Sequence, residues 1–153
     1  MMIINLLLAL MLQTPVPAPA PGQIVLVGLE GGQELAVQDP EFTGFIEGRS
    51  GDAVLMYHQG SFHGEMPLKT IARIEFRTYR RGQPFALTVT LRNGQTLQVE
   101  SERRDFVSLR GKTDFGSILI KQPDPISGPT KLTTKRPDRR KDLTIQYLEI
   151  PTS

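Results

Sequence analysis

The only two histidines, His58 and His63, share one short stretch, HQGSFHGEMPL, with Glu65 just beyond them. Imidazole and carboxylate are suitable donors to zinc and related ions, so His58, His63 and Glu65 are the set that could hold a metal for hydrolytic chemistry. The His-x4-His spacing is not a helical pair, and Gly60 and Pro67 point to an irregular loop. Two solvent-exposed loop histidines explain the same pattern without chemistry. Ser61 beside His63 has the types of a nucleophile and its base, but neither a nucleophile elbow nor an oxyanion loop accompanies them. Asp39 and Glu41 could share acid–base work. Flanking Pro40 between two strands, they read instead as turn residues. The glycine stretches GLEGG and GRSGD are followed by no helix, so they read as hairpin turns and not as phosphate cradles. We assign no catalytic residue, no metal ligand and no cofactor.

A second chemistry is carried by charge. The formal net charge is only +2, which excludes a whole-protein field aimed at nucleic acid. Its distribution is uneven. Between Lys121 and Asp142 there are seven Lys or Arg against three Asp, a local charge of +4 that leaves −2 for the rest. Lys131, Lys135, Arg136, Arg139, Arg140 and Lys141 crowd into eleven residues of this stretch. A solvated loop is the ordinary reading of such a run. The functional reading is an electrostatic arm, each cation contributing about 1 kcal/mol near an anionic membrane surface. No aromatic residue interleaves the run, which disfavours nucleic acid, where bases stack on rings. Arg77, Arg80, Arg81, Arg103 and Arg104 are scattered over a linker and a turn and read as a solvated face.

The elements that would position these groups are strands. After residue 21 no segment keeps apolar residues at helical spacing for three turns, whereas alternation is frequent. In LTVTLRNGQTLQV, Leu87, Val89 and Leu91 face one way and Thr88 and Thr90 the other, as in a half-buried antiparallel strand. Asn93-Gly94 is the strongest short hairpin signal in the chain.

The order of the strand signals reads as an internal duplication, with a single continuous antiparallel sandwich without duplication as the alternative. VGLEGGQELAV (27–37) and VTLRNGQTLQV (89–99) share Val, Leu, Gly, Gln, Leu and Val at six places. TIARIEF (70–76) and TIQYLEI (144–150) close the two copies. Between them lie two further hairpins, FTGFIEGRSGDAVLMY turning at 48–52 and FVSLRGKTDFGSILI turning at 111–116, which align with Phe42 on Phe106, Gly48 on Gly111 and Leu55 on Ile118. On that alignment His58–Leu68 is a loop whose counterpart, 121–142, is about twice as long, Pro-rich and basic, an exposed insertion. The domain plan is β unit 1 over 22–76, a linker over 77–84, and β unit 2 over 85–150 carrying the basic insert 121–142. Repeated small β modules stack surfaces more often than they build one active site.

The first residues, MMIINLLLALML, are apolar and precede a Pro-rich QTPVPAPAPG. The run is too short to span a bilayer, which takes roughly 20 residues, but it fits the apolar region of a signal peptide, with Ala18 and Ala20 as small residues before a cut. No Lys or Arg precedes it, and Pro21 would follow the cut. We read 1–21 as an export signal, either removed or kept as an anchor, and expect a periplasmic or extracellular location. The chain has no Cys, which removes disulfides and thiolate metal sites.

Each copy has a hairpin, a second hairpin and a closing strand, and in this it resembles the small barrels of the SH3-like and Sm-like type. The resemblance implies an all-β fold of two tandem barrel-like or sandwich units. It does not imply the Sm-like RNA site, because neither the Asp-x-x-x-Asn stretch nor the late Arg-Gly loop stands in its place. Arg110-Gly111-Lys112 has that composition but falls in the middle hairpin. A leader joined to such units is also similar to exported bacterial envelope proteins of no assigned activity. The expected function is a non-catalytic binding or assembly module of the cell envelope, contacting an anionic envelope component or another protein through 131–141, with peripheral membrane association as one form of that contact. The alternative is a cytoplasmic Sm-like nucleic-acid binder. A third reading is a metal-dependent enzyme using the His58/His63 loop.

Overall fold

The computed structural model describes residues 23–77, 84–101, 108–122 and 143–152. They form eleven antiparallel strands of one sheet, so the all-β expectation holds. Unit 1 supplies β1 (Ile24–Leu29), β2 (Glu34–Phe42), β3 (Phe45–Glu47), β4 (Ala53–Gln59), β5 (Phe62–Pro67) and β6 (Ile71–Phe76). Unit 2 supplies β7 (Ala86–Leu91), β8 (Thr96–Ser101), β9 (Ser108–Thr113), β10 (Gly116–Lys121) and β11 (Ile145–Glu149).

The sheet order is β10-β9-β2-β1-β11-β6-β7-β8-β4-β3, with β5 on the other side of β4. The two units are therefore interleaved and do not stand as tandem barrels. Closing strand β11 of unit 2 pairs with β1 of unit 1, and closing strand β6 of unit 1 pairs with β7 of unit 2. The cause is visible in the pattern: TIARIEF and TIQYLEI each have apolar residues to bury on one face and two strand edges to satisfy. Pairing them with each other satisfies an edge of both.

Register shows how closely the halves correspond. Val27 opposes Leu35 and Val25 opposes Val37, while Val89 opposes Leu97 and Leu87 opposes Val99. These are the same pairs shifted by one constant interval. Val27 also opposes Leu148, as Val89 opposes Ile74. Between the two closing strands Leu148 opposes Ile74, its own counterpart in the repeat. An approximate two-fold axis thus passes through the β6–β11 pair. The hairpin turns match too: the Leu29 amide donates to the Gln33 carbonyl at 2.7 Å, and the Leu91 amide to Gln95 at 2.8 Å. Gly32 and Gly94 hold φ of 86° and 89°, a left-handed conformation that glycine adopts at little cost.

The same symmetry corrects the alignment of the middle hairpins. His58 opposes Glu100 and Lys112 opposes Gln38, so β4 occupies the place of β9 and β5 that of β10. The stretch His58–Leu68 is not a connecting loop. It is the end of β4, the two-residue turn Gly60-Ser61, and β5. Its polar residues alternate across an edge hairpin, which hides the strand in the sequence. The Gly48–Asp52 turn stands between β3 and β4, whereas the later turn narrows to Asp114-Phe115 and Gly111 lies inside β9. Likewise Asp39 and Glu41 sit within β2 and not in a turn between strands; the β2–β9 register slips between Gln38 and Glu41, and Asp39 has φ of 50°. A bulge of this kind bends a strand.

Only Thr43 and Gly44 separate β2 from β3, which lie far apart in strand order, so the sheet curls until these strands meet. Its concave face buries one apolar core. Phe45, Phe42, Phe76 and Phe85 run through it with successive ring centroids 4.8, 6.4 and 6.1 Å apart. The tilted and edge-on arrangements suit ring quadrupoles.

Candidate functional site

The polar groups gather on the outer face, at the junction of the two units. His58 on β4 lies between Glu100 on β8 and His63 on β5, each its directly opposed cross-strand neighbour. Its Nε2 is 2.7 Å from Glu100 Oε2, and the two imidazole centroids are 5.7 Å apart. Opposed residues on one face approach closely enough to interact, so the β ladder alone assembles the row Glu100–His58–His63. Beside it Gln59 Nε2 donates to the Gln98 carbonyl at 3.1 Å, and Arg77 Nη1 donates to Gln98 Oε1 at 3.1 Å. His58, Gln59, Arg77, Gln98 and Glu100 border a cleft of about 390 Å³, a size that accepts a small polar molecule. What the row can do is exchange hydrogen bonds and, with His58 protonated, hold an ion pair. Among the described residues no group of three His, Cys, Asp or Glu is arranged to hold a metal ion. Glu65 does not complete a site with the histidines, and Ser61 lies in the hairpin turn.

A second cluster sits on the two-fold axis. Arg73 of β6 donates from Nε to Glu75 at 3.1 Å and from Nη1 to Glu149 at 3.2 Å. Its guanidinium carbon lies 4.0 Å above the centroid of Tyr147, a cation–π stack. The Tyr147 hydroxyl donates to Glu34. That hydrogen bond, with partial loss of water and the Glu34 charge, raises the phenol pKa above its ordinary value, while Arg73 opposes the shift. Gly28 makes room for the ring: a Cβ there would stand 2.0 Å from Tyr147 Cε1. Glu75 and Glu149 are equivalent in the repeat, yet both turn to the one arginine, since Arg73 has Tyr147 as its counterpart. Arg73 thus bridges Glu75 on its own strand and Glu149 on β11.

The basic residues Lys131, Lys135, Arg136, Arg139, Arg140 and Lys141 lie outside the described residues, as do Arg80, Arg81, Arg103 and Arg104. The frame around the insert is described. Gln122 directly follows β10 and is 3% exposed. Its side-chain Nε2 donates to the Ile145 carbonyl at 2.7 Å, and its Oε1 accepts from the Ile145 amide at 2.8 Å. One side chain thus satisfies both backbone groups of the first residue of β11, as a neighbouring strand would. In unit 1 the matching connection is the three-residue turn Leu68–Thr70.

Sequence reading singled out the histidines and missed Glu100, Arg77 with Gln98, Arg73 with Tyr147, and Gln122. Gln98 and Glu100 alternate with buried Val99 and so could have been placed on an outer face. Their partners depend on pairing between units, for which the sequence carries no local signal. No family model, curated protein or solved structure matches the chain.

Proposed function

We propose that this chain is a non-catalytic binding module that presents the basic segment 123–142 to an anionic partner, an exported protein acting at the cell envelope. The observation that supports it most is the clamp at the base of that segment. Gln122 and Ile145 are held side by side by two hydrogen bonds, while unit 1 crosses the same gap with Leu68–Thr70 alone. The fold therefore has no topological need for the intervening residues. A charged segment that the scaffold can do without, entered and left beside one buried side chain, supports a role in contact. Tethering also limits the ordering entropy lost when such a segment binds.

The test replaces 123–142 with a short Gly-Ser link. The variant should melt like the parent and lose binding to vesicles rich in anionic lipid, and parent binding should weaken as salt rises. Equal binding by both proteins refutes the proposal. Binding of the parent to single-stranded RNA with a steep salt dependence, and none to vesicles, would favour the Sm-like alternative instead.

A further inference from the structure

We propose that β10 is a self-association edge, at which two copies of the chain join β10 to β10 antiparallel about Leu119, independently of the basic segment. β10 pairs with β9 along its whole length, and no strand among the described residues pairs with its outer edge. An uncovered strand edge is a template for another strand unless something guards it. Its counterpart β5 is guarded: FHGEMP carries Gly64, Glu65 and Pro67. β10 reads GSILIK, without proline and without charge before Lys121. Leu119 is 47% exposed on it, and Phe115 in the adjoining turn is 71% exposed. The side chain of Gln122, just past the strand, then turns inward to Ile145.

The strand is complementary to itself, which favours a second copy over an unrelated partner. Directly opposed residues of an antiparallel pair project to the same face. Ile118 and Ile120 pack toward the core, so the two cores share a side of the joint sheet only when an even-numbered residue meets an even-numbered one. With Leu119 opposite Leu119 of the second copy, Ile118 meets Ile120 on the core side and Ser117 meets Lys121 on the outer side. The lysines then lie at opposite ends of the pair, avoiding the like-charge opposition that destabilises a ladder. The chain already contains such a join, since the equivalent strands β6 and β11 meet antiparallel through Ile74 and Leu148.

Sedimentation of the full chain tests this, over a range from about 5 µM to about 500 µM, because a single added strand pair buries less than a standard interface. The parent should shift from 17.0 kDa toward twice that mass, and Leu119→Lys, which sets two charges face to face, should stay monomeric with an unchanged circular dichroism spectrum. A second reading guards against misfolding. The chain has no native cysteine, so Leu119→Cys should form a disulfide-linked dimer on mild oxidation many times faster than Ser117→Cys. A parent that is monomeric at the top concentration overturns the proposal. So does a Leu119→Lys dimer, or equal cross-linking at 117 and 119. The protein lacking 123–142 should still dimerise, which separates this outcome from the fate of the binding proposal.

Discussion

At the scale of single residues the axis cluster has a pH signature. Tyr147 donates to the Glu34 carboxylate, and ionising the phenol would set two negative charges together, so its pKa lies above the ordinary 10.0. The folded state therefore favours the neutral phenol. Its contribution to stability is complete below the unfolded-state pKa and is lost as pH rises through the raised folded-state value. Ultraviolet titration should show a late midpoint that is missing in Tyr147→Phe. In Glu34→Ala that midpoint should move down toward 10.0. An unmoved late midpoint in Glu34→Ala refutes the assignment. The Arg73–Tyr147 stack should survive Tyr147→Phe, because it depends on the ring face and not on the hydroxyl.

At the scale of elements the decisive join is made by a side chain. Gln122→Leu would keep the bulk and leave the Ile145 amide and carbonyl without their partner. Two unmet buried groups cost about 2–6 kcal/mol together, readable as a lower urea midpoint. Gln122→Glu keeps an acceptor for the amide but sets a buried carboxylate against the Ile145 carbonyl, so at neutral pH it should lose at least as much as Gln122→Leu. Equal stability of all three would show that the clamp contributes nothing. The first hairpins and the closing strands were legible in sequence because alternation and Asn93-Gly94 or Gly31-Gly32 are local signals. The β4–β5 hairpin was not. His58, Gln59, Ser61 and His63 are polar because an edge hairpin has little to bury, and that polarity mimics a loop. The clamp was illegible for a related reason: a buried Gln looks like a surface Gln until its partner, far along the chain, is known. Histidines were found as a pair, but Glu100 joins them only through a β4–β8 ladder of two opposed pairs between units.

At the scale of the molecule the exchange of closing strands makes the two units one cooperative body. Tandem barrels would unfold independently; here removing β11 strips a neighbour from both β1 and β6. Urea unfolding should be a single transition, with far-ultraviolet dichroism and tyrosine fluorescence coincident. Two separated transitions would mean that the halves fold alone. Four of the ten ladders among the described residues, β1–β11, β6–β11, β2–β9 and β4–β8, join strands far apart in sequence, and such non-local pairing places folding toward the milliseconds-to-seconds range of all-β domains.

The same exchange bears on the order in which a ribosome delivers the chain. β1 emerges first among the strands and its neighbour β11 last. At about 5–20 residues per second, the interval between them is on the order of ten seconds. Throughout it β1 has β2 on one side and an open edge on the other. The native sheet cannot close on a partial chain, so the growing polypeptide stays unfinished, and within reach of chaperones, until the final strand is released.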